Sequence, residues 1–336
     1  MLLPLEAELN ARAQDDPDAE DLWSRYGSMK KHLETEYYRW VQANCPYYTD
    51  HGEQHIRSVI ECASLLLKEQ LHESRSDELS SVDIFLLLSS ILWHDVGNVL
   101  SRSKHHELVA ELTKKVKSLG FPNPDLQRLV NEISLAHKGP NGLAKVRSHE
   151  DLSTNHKNYS VYPSAIASLL RFADEISENQ ARISHAIKDK VPDDNKIYWE
   201  YASCVSASIP VPSQQVVRLT VNMPLEKATL PFLCNDYPHR FPSGEITLVE
   251  YILCRIEKMN NERAYCMSAL SRYVTVKELE VRFTLMRDNA RIDQYEETVV
   301  FGDGGMKSDG YPNIEVFSNF FESNPNWKPE VIEGLA

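Results

Sequence analysis

No stretch of the chain reaches the roughly 20 consecutive apolar residues that a membrane-crossing helix needs. The oiliest run, VDIFLLLSSILW (82–93), is long enough only for a core helix. The start, MLLPLEAELNARAQDDPDAE, lacks the basic segment of a secretory signal and soon turns acidic. Six cysteines, Cys45, Cys62, Cys204, Cys234, Cys254 and Cys266, include no CxxC pair and follow no disulfide spacing. They read as reduced, buried thiols, and a cytoplasmic location is expected. Basic charge is also short: 36 Lys and Arg stand against 49 Asp and Glu, a net −13. A broad basic face for duplex nucleic acid is therefore not expected. Repeats and low-complexity runs are missing too.

What is present divides near residue 190. Residues 1–190 read as a helical domain. One helix is expected from Asp21 to about Val41, and the next from Asp50, capped by Asp50 with Glu53 three residues on. Ile56, Val59, Ile60, Ala63, Leu66 and Leu67 recur along it at helical spacing. The 82–95 helix is apolar nearly all round and belongs at the centre. Helices follow at His106–Leu119, Leu126–Ala136 and about 163–177, with a polar loop over 138–160. After Pro192 the period becomes two: Ser203, Val205, Ala207, Ile209; then Val217, Leu219, Val221, Met223; then Leu279, Val281, Phe283, Leu285. A long helix, about Ile246–Tyr273, lies between the second and third strands. The expected fold is mainly α: a helical domain (1–190), a smaller α+β unit of β-β-α-β order (191–290), and an extension (291–336) with one strand, Glu297–Phe301, and a polar tail.

Several polar residues stand where apolar ones belong. ILWHDVGNVL (91–100) ends an oily helix on His94 and Asp95, with Gly97-Asn98 reading as a chain break. His51 and His55 are four apart, so they stack on one helix face, with His55 on the side of Val59 and Cys62. Asp174 shares a face with Leu170, which is costly unless the carboxylate is paired or bound to a cation; Arg171 is the simple ionic partner. Glu175 reads as solvated. His137 ends its helix, where the dipole alone favours it, and His105 and His106 stand near a helix start. Taken singly, each has an ordinary explanation. Taken together they form a set of imidazoles and carboxylates at helix ends and inward faces, the donors suited to Mn, Fe, Co or Ni, and through oxygen to Mg.

The pieces HIRSV (55–59), WHDVGN (93–98) and RFADEIS (171–177), in this order and each on its own helix, resemble the HD-domain metal-dependent phosphohydrolase superfamily. The resemblance covers roughly 45–180. It implies that His55, His94, Asp95 and Asp174 hold a first divalent ion, and that Asp95 bridges to a second held by His106 and His137. With NVLSRSKHHE in this chain, His105 and His106 are both eligible for that place. His51 matches a histidine that cyclic-nucleotide phosphodiesterases use as proton donor to the leaving oxygen. The second half, with TLVEYILCRIEKMNNERAY (247–265), resembles the appendage of bacterial HD modules encoded beside GHKL-type ATPases. That implies an ATPase, or a second copy of the chain, as partner.

The expected activity is metal-dependent hydrolysis of a phosphoester or phosphoanhydride in a nucleotide-like small molecule. A divalent ion lowers the pKa of bound water from about 15.7 to near 7. Asp95 would orient the hydroxide and His51, titrating near working pH, would supply the proton. Lys138 and Arg171 are the expected substrate-binding cations. Lys145, Arg147 and Lys157, in the same polar loop as Lys138, read one by one as surface residues. The alternative is a non-catalytic nucleotide sensor, or an adaptor for an ATPase.

Overall fold

A computed structural model describes residues 1–44, 47–71, 79–102, 104–115, 121, 123–139, 141–154, 156–184, 186–302 and 311–335; the side chains of Gln42 and His106 lie outside this description. The protein is mainly α, with a smaller α+β part in its second half.

The first helix, α1 (Pro4–Arg12), begins on proline, and Glu6 turns back to accept the Leu3 N–H at 3.0 Å. Asp16 caps α2 (Pro17–Leu33) by accepting from the Asp18 N–H at 3.0 Å, so this helix starts four residues before the expected Asp21. It continues through a π-helical turn, Glu34–Tyr38, into α3 (Arg39–Asn44). The wide turn lets the Tyr38 hydroxyl donate to the Leu92 carbonyl at 2.8 Å, inside the protein.

Helix α4 (Glu53–Leu66) starts later than expected, with Gly52 at its N-cap. Asp50 still satisfies this end, but from outside: it accepts from Gly52 N at 3.0 Å and from His55 N at 3.0 Å. No box with Glu53 forms. Helix α5 (Ser81–Trp93) carries the box instead, between Ser80 and Asp83. Every residue of α5 is buried, and α1, α2, α4, α7 (Pro124–Leu135) and α8 (Pro163–Ile176) surround it. The window Ser81–Val99 is long and apolar enough to cross a membrane, yet 94% of it is buried inside the protein.

The chain does not break at Gly97-Asn98. It turns through a 3-10 segment, Val96–Val99, into α6 (His105–Lys115). The loop expected over 138–160 contains an antiparallel hairpin, β1 (Glu150–Ser153) with β2 (Asn158–Val161), whose Leu152 and Val161 are buried. Four-residue strands with one inward side chain each carry too little alternation to signal themselves.

A helix, α9 (Asp193–Cys204), precedes the first long strand and was not anticipated after Pro192. Then come β3 (Val205–Val211), β4 (Val216–Pro224), α10 (Leu225–Ala228), β5 (Pro231–Leu233), β6 (Glu245–Thr247) and α11 (Leu248–Leu270), followed by β7 (Glu278–Arg287) and β8 (Ala290–Phe301). The sheet order is β3-β4-β7-β8. Strands β4 and β7 are parallel, which requires the long crossover that α11 supplies. Thr247 and Glu250 form a capping box at the start of α11. Helix α11 also packs along α8, joining the two halves of the chain.

Most of Gly302-Asp-Gly-Gly305 lies outside the described residues. The described part of the expected polar tail is anchored rather than loose: α12 (Phe317–Ser323) and α13 (Pro329–Glu333) flank Trp327, and Phe320 and Trp327 pack on Phe283 at 4.9 and 5.8 Å.

Candidate metal centre

His94 follows the last residue of α5 and is fully buried. Its Nδ1 lies 2.8 Å from the Ile91 carbonyl and must donate there, so the Nε2 lone pair points into the protein. His105 repeats the device, with Nδ1 2.7 Å from the Arg102 carbonyl, and His137 does the same on Ser134. In all three the carbonyl three residues earlier fixes ring orientation and tautomer. This is the support that metal-ligating histidines receive.

Four donor atoms converge. His55 Nε2 and His94 Nε2 are 3.3 Å apart, Asp95 Oδ2 is 3.6 Å from each, and Asp174 Oδ1 is 3.3 and 3.8 Å from them. Ligand atoms about 2.1 Å from a single ion stand roughly 3.0–3.4 Å apart at angles of about 90–109°. Several of the separations run a few tenths of an ångström wider than this, while imidazole and carboxylate are the donors that suit a divalent cation, and His55, His94 and Asp174 form one group able to hold a metal ion. Lone pairs and carboxylate oxygens packed this tightly repel unless positive charge lies between them. Beside this nest, the other oxygen of Asp95, Oδ1, is 3.3 Å from His105 Nε2. Asp95, His105 and His137 form a second group able to hold a metal ion.

Of the expected ligands, His55, His94, Asp95 and Asp174 are thus brought together, with His137 next to them. The imidazole brought to Asp95 is His105; the His106 side chain lies outside the described residues. Gly97 explains the placement of His105. A Cβ there would stand 2.7 Å from His105 Cα and closer still to its carbonyl, so only glycine lets the start of α6 fold back on the His94-Asp95 turn.

Burial opposes ionisation of Asp95, but His94, His51 and His55 outweigh it and hold its carboxyl well below the usual carboxylate range. Asp174 behaves alike: burial pushes up, and His55 and His94 pull its pKa far down. Burial lowers His137 to about 4, with the charge of His94 adding to the effect. His105 is lowered too, first by burial and also by Arg102 and Lys138. The nests therefore combine carboxylates held ionised with imidazoles, those of His55, His105 and His137, that burial biases toward the neutral, metal-binding form.

His51 lines the cavity over the site, with Nδ1 2.8 Å from Asp95 Oδ2 and 3.2 Å from Arg182 Nη2. Its pKa does not lie near working pH. Burial lowers it to about 3, and the neighbouring Arg102 and Arg182 favour the neutral ring.

Arg171 does not pair with Asp174. Its guanidinium grips Glu262 of α11, with Nη2 to Oε1 at 2.8 Å, and donates to the carbonyls of Ala136 (3.2 Å) and Gly139 (2.7 Å). It lines the cavity, yet its bonds clamp the turn that carries His137. Glu175 is not solvated: it is buried and paired with Lys258 at 2.6 Å and Arg255 at 3.3 Å. Lys138 is exposed at the cavity edge. Arg147 and Lys157 bond Glu150 and Asp16 instead, and neither they nor Lys145 line the cavity.

Sequence reasoning missed two arginines. Arg182 donates to the Asp50 carbonyl at 2.9 Å and holds the His51 turn. Arg102 lies over the Tyr48 ring at 5.1 Å and has no carboxylate partner among the described residues. No local pattern marks either one; Arg102 lies in the turn before α6 and Arg182 ends a short 3-10 turn, Gln180–Arg182, and tertiary structure brings both to the site.

A family model described as HD-CE matches residues 45–247. The chain belongs to the HD-CE family. The matched stretch contains every donor of both nests and runs past the expected boundary near residue 190 to β6. The match supports an HD-type domain, and His94-Asp95 with the other buried donors lies inside it. No curated protein matches the chain.

Proposed function

We propose that the protein is a metal-dependent phosphohydrolase or phosphodiesterase acting on a nucleotide-type substrate. The observation carrying this reading is Asp95, which offers one oxygen to each of two donor groups at the floor of a cavity of about 610 Å³. His55, His94, Asp95 and Asp174 would hold one ion, and Asp95, His105 and His137 the other. A divalent ion, with Mn, Fe, Co, Ni and Mg all eligible, lowers the pKa of its bound water toward neutrality and polarises a phosphoryl oxygen.

The chain's own residues supply the rest. Arg102 and Lys138, both at the cavity wall and without a carboxylate partner among the described residues, offset phosphate charge. His51, anchored on Asp95 through Nδ1, orients that carboxylate beneath the cavity; its lowered pKa does not suit the expected role of proton donor. Arg171 keeps His137 in place. All five described cysteines are free and buried, which suits a reducing, cytoplasmic setting.

Nucleotides and cyclic dinucleotides, incubated with the protein and Mn or Mg, should yield phosphate or a hydrolysed ester. Asp95→Ala should abolish this turnover. Unchanged activity in that variant would remove the proposal. A sensor, or an adaptor for an ATPase partner, would bind such ligands without forming product.

A further inference from the structure

The cavity extends beyond the metal-site residues to a wall built by α9 and α11. Tyr198 and Tyr201 come from α9, and Tyr251 and Arg255 from α11. The Tyr251 ring meets Tyr201 edge-on at 5.7 Å and Tyr198 at 6.0 Å, which makes an aromatic surface. Arg255 lies over the Tyr201 ring at 5.4 Å.

Three polar atoms of lining residues are poorly paired although they are buried. They are the Tyr201 hydroxyl, Arg255 Nε and Glu178 Oε1; none makes a hydrogen bond of good geometry among the described residues, although the Tyr201 hydroxyl stands close to the Arg255 guanidinium. Tyr201 itself is only 3% exposed. Buried groups of this kind are ordinarily satisfied, so each calls for an explanation. Here they supply a donor, an acceptor and a group able to act as either, beside an aromatic wall in one cavity. A nucleobase has the matching chemistry: a π-face for the tyrosines and an edge of alternating donors and acceptors. A sugar or a bare phosphate has no π-face.

We infer that Tyr198, Tyr201, Tyr251, Arg255 and Glu178 form a base-recognition subsite, with Tyr201 a specificity-determining residue. This rests on the proposed reading only in assuming that the phosphate end of the ligand lies over the metal nests.

The test uses ligands with no phosphate. Adenosine, guanosine, cytidine, uridine and methyl β-ribofuranoside are titrated calorimetrically into the full-length protein carrying its metal. At least one nucleoside should bind at least about fivefold more tightly than the riboside, the margin of one hydrogen bond to a buried group. Tyr201→Phe should erase that margin while metal content, melting temperature and riboside affinity stay as they were. Tyr198→Ala should weaken all nucleosides alike. Nucleosides binding no better than the riboside, or a margin that survives Tyr201→Phe, would overturn the subsite. Since nucleosides carry no scissile phosphate, a protein that binds them selectively but releases no phosphate from nucleotides loses the hydrolase reading and keeps the subsite.

Discussion

At Gly97 a methyl group would stand 2.7 Å from His105 Cα, against backbone that cannot step aside without moving α6. Gly97→Ala should therefore destabilise the protein by about 1–3 kcal/mol, as overpacking does. It should also reduce binding at the Asp95–His105–His137 group before that at the first nest. Thermal melts and metal titration of the variant measure the two effects; wild-type stability together with full binding would refute this role. The glycine was visible in the sequence, but as a chain break. Its actual task depends on His105, eight residues on, reaching back across the turn. His55, His94, Asp95 and Asp174 were legible because each carries a polar group at an apolar helical position. Whether His105 or His106 served was not legible, since neighbours differ only in which way the helix start faces.

Helices α8 and α11 present complementary rows. Arg171 faces Glu262, and Glu175 faces Lys258 and Arg255. Tyr251, Arg255, Lys258 and Glu262 recur at helical spacing, a stripe readable in the sequence once a partner for it is known. A single sequence does not say which two stripes meet, so Glu175 read as solvated and Arg171 as a neighbour of Asp174. Removing one partner leaves a buried charge alone. Arg171→Met or Glu262→Gln should cost about 3–5 kcal/mol, whereas replacing both with apolar residues should recover much of it. Denaturant melts of the single and double variants test this, and strictly additive losses would contradict it. The hairpin β1–β2 and the helix α9 escaped notice for different reasons. The first is too short to show alternation. The second, DDNKIYWEYASC, mixes aromatic and acidic residues and runs straight into β3, so its helical period is cut short.

Across the whole molecule, one apolar helix buried on every side leads into His94 and Asp95, and Asp95 is the residue that both donor groups share. Helix α4 brings His55 to one oxygen of Asp95, α8 sets Asp174 against His55 and His94, and the start of α6 and the turn after α7 bring His105 and His137 to the other side. The second half of the chain adds the tyrosine wall and Glu262, the carboxylate that holds the Arg171 clamp on the His137 turn. Metal analysis of the purified protein by mass spectrometry tests this arrangement most directly. The account predicts up to about two transition-metal ions per chain, about one in His105→Ala, and none in Asp95→Ala. A wild-type protein free of metal whose melting temperature ignores a chelator, or an Asp95→Ala variant that keeps its full metal content, would contradict it.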